Sequence, residues 1–306
     1  MTARMKCLKC SYSFDSRTLP IGDENVPQNQ ECPKCSGQAV EMLPSWSPVK
    51  SWNYPLEMIN GHMVVDVDGR RCLLDTGSVE CITDEAEPTL EFAGKSWSAT
   101  QKFMGVMLKD IAEQVGTELD AMIGSHALSS LSWMPLMDEG IVSFYHSTPL
   151  EWHDKMAWKQ ARQSLAPMIT VRQYSRNYNA VIDTGAKVCY ARRSLWDGVT
   201  GNIVNTTDFF PTPKGIEQFD VPMKMAAIGM GGAVRKQRDK DGNLTGTLEN
   251  TQLQEIVLPL GVLPERLELL FEGFGADFIL GPELLQAIPM AFGLEGGRVF
   301  VGQADH

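Results

Sequence analysis

Leu73-Leu74-Asp75-Thr76-Gly77-Ser78 is the stretch that decides the fold prediction, because a near copy follows as Val181-Ile182-Asp183-Thr184-Gly185-Ala186. Each copy is a pair of branched apolar residues that runs into Asp-Thr-Gly and one small residue. A given tripeptide occurs by chance about once in several thousand positions, so one copy would be weak evidence. Two copies with matching flanks, and a cysteine six positions after each aspartate (Cys81 and Cys189), are much stronger. The sequence therefore predicts two carboxylates that meet at one site.

The correspondence between the two halves continues downstream of these loops. Ala121-Met122-Ile123-Gly124 matches Phe278-Ile279-Leu280-Gly281, and a helix-like segment follows each apolar run. Each half then closes with a glycine turn and a strand, at Gly140–Phe144 and Gly297–Val301. Similarity that recurs along the chain in the same order is the mark of an internal repeat. We predict a duplicated lobe.

Asp-Thr-Gly followed by an apolar-apolar-glycine run resembles the aspartic proteases, of both the pepsin-like and the retroviral (retropepsin) type. The resemblance covers roughly positions 55 to 303. It implies a mainly β, bilobal acid protease fold with both lobes in one chain, as in pepsins. It also implies an aspartic endopeptidase with a polypeptide substrate. Asp75 and Asp183 would activate a water molecule as general base and general acid, without a catalytic metal.

The resemblance assigns supporting roles to the other loop residues. Thr76 and Thr184 match threonines whose hydroxyl groups cross to the opposite loop and lock the two halves together. Gly77 and Gly185 match glycines that allow the two loops to pack tightly. These residues are expected to hold the two carboxylates in place.

The position after each glycine differs between the halves, with Ser78 in one and Ala186 in the other. A serine hydroxyl that donates to its carboxylate would lower the pKa of Asp75, which alanine cannot do. The sequence therefore predicts that the anion lies mainly on Asp75. Glu80 and Lys187 lie just past the loops, where retropepsins contact substrate. They are candidate specificity residues, with ordinary surface charges as the alternative.

A glycine-rich segment of the second half, Lys224–Gln237, is similar to the retropepsin flap. Gly229, Gly231 and Gly232 would form its tip, because glycine lets a backbone approach a substrate closely. The alternative is a glycine-rich surface hairpin that touches no substrate. In the first half no flap is recognisable, although Phe92–Trp97 has the pattern of a short hairpin.

Four of the seven cysteines form two knuckles, Cys7-x2-Cys10 and Cys32-x2-Cys35. Paired knuckles supply four thiolates to one tetrahedral zinc ion, and disulfides are the alternative. No apolar signal core stands near residue 1, which favours a reducing compartment and zinc. We predict a zinc ribbon whose structural Zn²⁺ supplies folding energy and takes no part in catalysis. A protein partner or a structural cap suits it better than nucleic acid, because its charges nearly balance.

The predicted domain order follows from these motifs. It is a zinc ribbon at 1–40, a linker at 41–55, the first protease lobe at 56–150, a connector of helical character at 151–165 and the second lobe at 166–306. The composition limits the partners. A formal net charge of −11 argues against nucleic acid and anionic membranes, and no stretch is apolar enough to span a membrane. We expect a cytoplasmic, monomeric protein.

Two other functions compete with the endopeptidase. One is a non-catalytic peptide-binding module that retains the protease fold. The other is an adaptor directed by the zinc ribbon, with the protease lobes as a scaffold. The retention of both aspartates and both threonines favours the enzyme.

Overall fold

The computed structural model describes residues 4–7, 13–15, 34–35, 40–42, 50–85, 88–149, 152, 156–163, 166–230, 233–238, 244–251, 255–294 and 297–302. The chain divides into two compact units, Met1–Lys50 and Ser51–His306. The division falls inside the predicted linker, because the first strand of the second unit already begins at Ser51. No helix of the described residues is long and apolar enough to cross a membrane.

The first unit contains a small antiparallel sheet of strands β1 (Arg4–Cys7), β2 (Ser13–Asp15) and β3 (Val40–Met42), in the order β2-β1-β3. The backbone of Cys7 pairs with that of Val40. Cys35 lies in a turn five residues before Val40.

The second unit is mainly β, as expected. Its first half contains β4 (Ser51–Ile59), β5 (His62–Val67), β6 (Arg70–Asp75), β7 (Cys81–Thr83), β8 (Thr89–Phe92), β9 (Lys95–Thr100), β10 (Lys102–Phe103), β11 (Val106–Met107), α1 (Leu108–Val115), β12 (Ala121–Gly124), α2 (Ser125–Leu128), β13 (Ser132–Leu136), a 3₁₀ turn (Met137–Glu139) and β14 (Ile141–Tyr145).

The second half repeats this plan with longer strands. It contains β15 (Ala157–Gln160), β16 (Arg162–Gln163), β17 (Pro167–Gln173), β18 (Arg176–Ile182), β19 (Cys189–Ala191), α3 (Arg193–Trp196), β20 (Val204–Thr212), β21 (Gly215–Gly229), β22 (Ala233–Arg238), β23 (Leu244–Thr251), β24 (Glu255–Val262), a 3₁₀ turn (Glu265–Leu267), α4 (Leu269–Phe274), β25 (Phe278–Leu280), α5 (Pro282–Ala287), β26 (Met290–Gly293) and β27 (Arg298–Val301).

The duplication predicted from the sequence is visible in the strand pairing. In the first half β12 runs parallel to β6 and antiparallel to β7. In the second half β25 runs parallel to β18 and antiparallel to β19. The apolar-glycine run of each half therefore lies beside the strand that carries its own aspartate.

The two halves share one sheet, in which the order β15-β27-β26-β13-β14-β4 takes three strands from each. The halves meet where β13 pairs with β26, and the rings of Trp133 and Phe292 stack there with centroids 4.0 Å apart. The mirrored strand order places an approximate two-fold axis between β13 and β26. Equivalent loops of the two halves are brought together by such an axis.

A tight turn precedes the strand that leads to the first aspartate loop. Asp68 and Gly69 join β5 to β6 with φ values of 55° and 88°. An Asp-Gly pair favours two successive positive φ values because its side chains are small or absent, and this turn matches the twist of the flanking strands. The hairpin leads β6 directly to Asp75. The Phe92–Trp97 segment forms a hairpin of β8 and β9, as its pattern predicted.

The connector differs from the predicted helical segment. Residues 157–160 form β15, which pairs with β27. Lys159 is buried, and its ammonium donates to the Met230 carbonyl at 3.4 Å. Burial lowers the pKa of Lys159 to about 8. The predicted helical character was overridden here because β15 pairs with both β22 and β27 in the shared sheet.

The three cysteines outside the predicted ribbon are buried core residues, as expected from their apolar surroundings. Cys72, Cys81 and Cys189 have no exposed surface. Two of them accept matching hydrogen bonds: Gly124 N–H donates to the Cys81 sulfur at 3.4 Å and Gly281 N–H to the Cys189 sulfur at 3.3 Å. Each bond ties an apolar-glycine run to the segment that follows an aspartate loop.

Candidate active site

The structure brings the two predicted aspartates together. Asp75 ends β6, and Asp183 directly follows β18. Each glycine of the two loops faces the opposite carboxylate, since a methyl group on Gly77 would overlap the carboxylate of Asp183 and one on Gly185 that of Asp75. The two carboxyl groups are hydrogen-bonded to each other. We call this pair the dyad.

Reciprocal threonine bonds hold the two loops. Thr76 Oγ1 donates to the Ile182 carbonyl at 2.8 Å, and Thr184 Oγ1 donates to the Leu74 carbonyl at 2.9 Å. Each hydroxyl oxygen also accepts the backbone N–H of the opposite threonine at 3.0 Å. Both threonines are fully buried. Because no water can replace these bonds, they fix the position of one half's aspartate relative to the other's.

Replacing Thr184 by valine should lower the free energy of unfolding by about 2–5 kcal/mol. The change removes the donor to the Leu74 carbonyl and the acceptor of the Thr76 N–H, and each buried group left unpaired costs about 1–3 kcal/mol. Urea unfolding measures the change. Thr170→Val, on the exposed face of β17, is the matched control and should stay within about 0.5 kcal/mol of wild type. Equal stability of the two variants would contradict the locking role.

The two carboxyl groups have different surroundings. Asp75 Oδ1 accepts the N–H groups of Gly77 at 2.8 Å and Ser78 at 2.9 Å, and Asp183 Oδ1 accepts that of Gly185 at 3.0 Å. Burial raises the pKa of both carboxyl groups, and the N–H bonds oppose the rise. The pKa of Asp183 reaches about 7, first through burial and then through the charge of Asp75. The two carboxyl groups therefore titrate as a pair that holds one proton.

The hydroxyl of Ser78 does not donate to Asp75, as the sequence analysis had predicted it would. It donates to the Glu80 carbonyl at 3.2 Å, whereas Asp75 receives the backbone N–H of Ser78. The N–H of Ala186 likewise supports the Asp183 anion. The hydroxyl therefore has no direct part in the ionisation of Asp75. A sequence motif specifies a residue type and not its rotamer, so it could not show where the hydroxyl points.

A cavity of about 340 Å³ opens beside the dyad, and two hairpins contribute to its walls. The short hairpin is β10–β11, with Met104 and Gly105 at its turn, and the long hairpin is β20–β21, with Pro213 and Lys214 at its turn. A Cβ on Gly105 would lie 3.4 Å from the Pro213 carbonyl oxygen, so the two tips approach each other. The apolar side chains that line the cavity are mainly Phe103, Met104, Ile111, Phe209, Phe210, Pro211, Phe219, Leu263, Leu270 and Phe274.

The predicted flap tip lies elsewhere. Gly229 ends β21, where its backbone pairs with Glu255 of β24 and Arg172 of β17. The next residue, Met230, is buried and accepts a hydrogen bond from Lys159, on the shared sheet. Gly229 is therefore held within a sheet and does not line the cavity. Gly231 and Gly232 lie outside the described residues.

Neither candidate specificity residue lines the cavity. The side chain of Glu80 is exposed, and its carbonyl accepts the Ser78 hydroxyl. Lys187 Nζ donates to the Thr207 carbonyl on β20 at 2.7 Å. Lys187 therefore ties the long hairpin to the loop that carries Asp183.

His62 is a site residue that the sequence analysis missed. It is 1% exposed, its Nδ1 lies 3.1 Å from the Gly185 carbonyl oxygen, and its ring packs against Phe209. A carbonyl only accepts, so Nδ1 carries the hydrogen, and within the described chain the buried Nε2 has no hydrogen-bond partner. Burial lowers the pKa of His62 to about 4. A neutral histidine of the first half thus supports the loop of Asp183.

His62→Asn should make the protein more resistant to acid. The pKa of His62 is about 4 in the folded chain and 6.5 in the unfolded chain, so the folded state binds fewer protons between these values. This contribution to stability is complete above pH 6.5, falls as the pH drops toward 4, and amounts to about 3 kcal/mol. Asparagine keeps a donor at the Nδ1 position and does not titrate. Unfolding free energies of wild type and variant measured across this window give the difference.

Two further variants separate the hydrogen bond from bulk packing. His62→Leu fills the space without a donor, and we expect a lower kcat than in His62→Asn because the Gly185 carbonyl loses its partner. His126→Asn replaces an exposed histidine and should leave the acid dependence of stability unchanged. If His62→Asn loses as much stability in acid as wild type, the neutral buried histidine is not the cause.

The predicted zinc ligands are only partly within the described residues. Cys7 ends β1 and Cys35 lies in a turn, whereas Cys10 and Cys32 lie outside the described residues. Across the described ranges, no three His, Cys, Asp or Glu side chains are grouped as a metal site would require. The zinc ribbon stays a prediction based on its four-thiolate spacing.

Comparisons with known proteins give only distant likenesses. No protein-family model matches the sequence, and no curated protein matches it. Among solved structures, the chain is similar to basic 7S globulin from soybean, with a TM-score of 0.44 and 10% identity over 84% of this chain and 96% of that one. It is also similar to an aspartic proteinase from Irpex lacteus, with a TM-score of 0.43 and 12% identity over 84% and 98% of the two chains. Likeness at this level does not determine activity, so the functional argument rests on the geometry of the site.

Proposed function

We propose that this chain is an aspartic endopeptidase of the bilobal acid protease fold, in which Asp75 and Asp183 activate water against a peptide bond. The observation that carries the proposal is the meeting of two Asp-Thr-Gly loops from duplicated halves, locked by Thr76 and Thr184, beside a cavity. Two like charges this close do not both ionise readily, so the pair holds one proton.

The chemistry follows from that single proton. Asp75, the anion, takes a proton from a water molecule as the water oxygen attacks the peptide carbonyl carbon. Asp183 gives its proton to the carbonyl oxygen, which becomes a hydroxyl of the tetrahedral species. As the C–N bond breaks, Asp75 returns its proton to the leaving nitrogen and the hydroxyl returns its proton to Asp183. The dyad ends in its starting state, with one water consumed.

The two hairpins would act as lids over the bound chain. Their tips approach each other beside the cavity, at Gly105 and Pro213, and we expect them to part when a polypeptide enters. Lids of this kind exclude water other than the reacting molecule and commit the substrate. The pairing of a short first-half lid with a long second-half lid replaces the flap that we predicted around Gly229.

The pKa of Asp183 suits peptide hydrolysis near neutral pH. Since Asp183 keeps its proton up to a pKa of about 7, the one-proton state of the dyad extends from acid to neutral solution. This range is compatible with the cytoplasmic setting proposed from the cysteine pattern. We propose a monomer, because both aspartates come from one chain.

Digestion of a peptide library and of casein tests the proposal. Wild type should release new amine termini at preferred sequences in acid and up to about pH 7, and pepstatin, which carries a hydroxyl where the attacking water adds, should suppress them. Asp75→Asn should release none. Peptide binding without cleavage by wild type would favour the non-catalytic module instead.

The ribbon is proposed to hold one structural Zn²⁺ through Cys7, Cys10, Cys32 and Cys35, a donor set that suits tetrahedral zinc. The metal would stabilise the first unit and leave peptide hydrolysis to the dyad. A protein partner is the proposed role of its surface. Partners captured by wild type and lost in Cys7→Ser, with no proteolysis by either protein, would favour the adaptor.

A further inference from the structure

Asp208 is a third carboxylate in the cavity of the dyad. It lies on β20 of the long hairpin, and the lining residues include no lysine, arginine or histidine. Apart from Asp75 and Asp183, it is the one ionisable carboxyl group among them. The proposed reaction gives it no role, because one acid and one base complete the proton transfers.

Asp208 is buried without a cationic partner. It is 7% exposed, the Tyr190 hydroxyl donates to Oδ2, and the Phe209 N–H donates to Oδ1 at 2.7 Å. Within the described residues, it forms no ion pair. Lys187, whose backbone N–H also donates to it and whose charge acts on it, gives its Nζ to the Thr207 carbonyl. The carboxylate is thus held in place by three donors, and its nearest cation is bonded elsewhere.

An ionised carboxylate that is buried without a counter-charge is unfavourable, so burial favours its protonated form. Burial raises the pKa of Asp208 to about 6, although three hydrogen bonds and the charge of Lys187 oppose the rise. The group is therefore ionised at neutral pH inside an apolar cavity. A cation that entered the cavity would recover much of the lost interaction energy, because attraction between charges is strong where water is excluded.

We propose that Asp208 makes the enzyme select substrates with a cationic side chain, lysine or arginine, at one position next to the cleaved bond. The inference rests on the proposed peptidase function and names the substrate class of that site. Apolar walls suit the methylene stem of such a side chain, and the faces of Phe209, Phe210 and Phe219 attract its charged end. The carboxylate then accepts hydrogen bonds from the cation.

The competing explanation is purely structural. Tyr190 belongs to β19, so its bond to Asp208 also ties the long hairpin to the strand that follows the Asp183 loop. A structural tie would affect stability and all substrates equally. It would not favour a charged side chain over an uncharged one of the same length. The ratio between two matched substrates therefore distinguishes the two explanations.

The test uses pairs of peptides that differ only in having lysine or norleucine at one position. That position is in turn the residue before the cleaved bond and the residue after it. At one position, kcat/KM should favour lysine by roughly 10-fold or more at about pH 7. At about pH 5, below the pKa of about 6, Asp208 takes up a proton and the preference should shrink. Lysine stays charged at both values, so the change reports on the enzyme.

Variants assign the preference to a residue. Asp208→Asn should remove it at both pH values, whereas Asp220→Asn, an exposed residue opposite Thr207 on β21, should keep it. Tyr190→Phe removes a hydrogen bond that favours the anion, so the loss of preference should move to higher pH. If Asp208→Asn fails to fold, the pH dependence in wild type and Tyr190→Phe still decides.

Two results would overturn the inference. One is cleavage of the peptides by wild type with no preference for lysine at any position. The other is a preference that persists in Asp208→Asn. If no peptide is cut at all, the proposed reaction fails separately. Fluorescence anisotropy of the same pairs bound to Asp75→Asn then measures the selection for a cation without the chemistry.

Discussion

Asp75→Asn should lower the rate of peptide hydrolysis by about 10²- to 10⁴-fold, because the variant has no anion to take the proton of the attacking water. The amide keeps an oxygen that can accept the N–H groups of Gly77 and Ser78. It also relieves the repulsion that raises the pKa of Asp183, so the fold should be at least as stable as wild type. The rate is measured with one peptide from the library digest, and stability by urea unfolding.

The control removes the same charge elsewhere. Asp220 is exposed on β21, and Asp220→Asn should hydrolyse the peptide at the wild-type rate. A loss of activity with unchanged stability separates a chemical role of Asp75 from a structural one. Retention of more than about a tenth of wild-type activity in Asp75→Asn would rule out the dyad as the source of catalysis.

Gly185→Ala should reduce kcat by about 10²-fold or more while the protein still folds. The backbone of Gly185 does not require a positive φ, so alanine is allowed locally. Its methyl group would instead overlap the carboxylate of Asp75 and push the two carboxyl groups apart. Misplacement of a catalytic group by about 1 Å costs about 10²-fold in rate. Steady-state kinetics on the same peptide measure the loss.

Gly273→Ala is the matched control, since a Cβ at this helical position meets nothing within 4 Å. It should leave kcat unchanged and raise stability by up to about 1 kcal/mol, because alanine loses less backbone entropy in a helix than glycine. Should Gly185→Ala retain wild-type kcat, the close contact of each glycine with the opposite carboxylate has no catalytic importance.

The sequence predicts the duplicated halves and the meeting of Asp75 with Asp183 well, for a physical reason. The tripeptide, its apolar approach and its later apolar-glycine partner are all local patterns that must recur together. Once two copies exist, a two-fold arrangement around a shared sheet brings equivalent loops together. The local sequence of the two aspartate loops is therefore enough to predict that the loops meet.

The lids and the additional side chains depend on contacts that local patterns do not encode. Glycine content pointed to Gly229, yet that residue is held by pairing with β24 and β17. The tip near the cavity is instead the turn at Pro213 and Lys214. His62 and Asp208 lie on strands other than those that lead to the aspartates, and each looks like an ordinary strand residue. Only the folded chain shows what they touch.

The most direct test of the shared proton is an NMR titration of aspartate carboxyl carbons in the ¹³C-labelled protein, because it needs no knowledge of the substrate. Asp183→Asn assigns the Asp183 signal by its disappearance. In wild type this carboxyl group should keep its proton up to a pKa of about 7. In Asp75→Asn its titration should move to lower pH, since the charge of Asp75 no longer opposes ionisation. Identical titration of Asp183 in both proteins would show that the two carboxyl groups do not share a proton, and the account would fail.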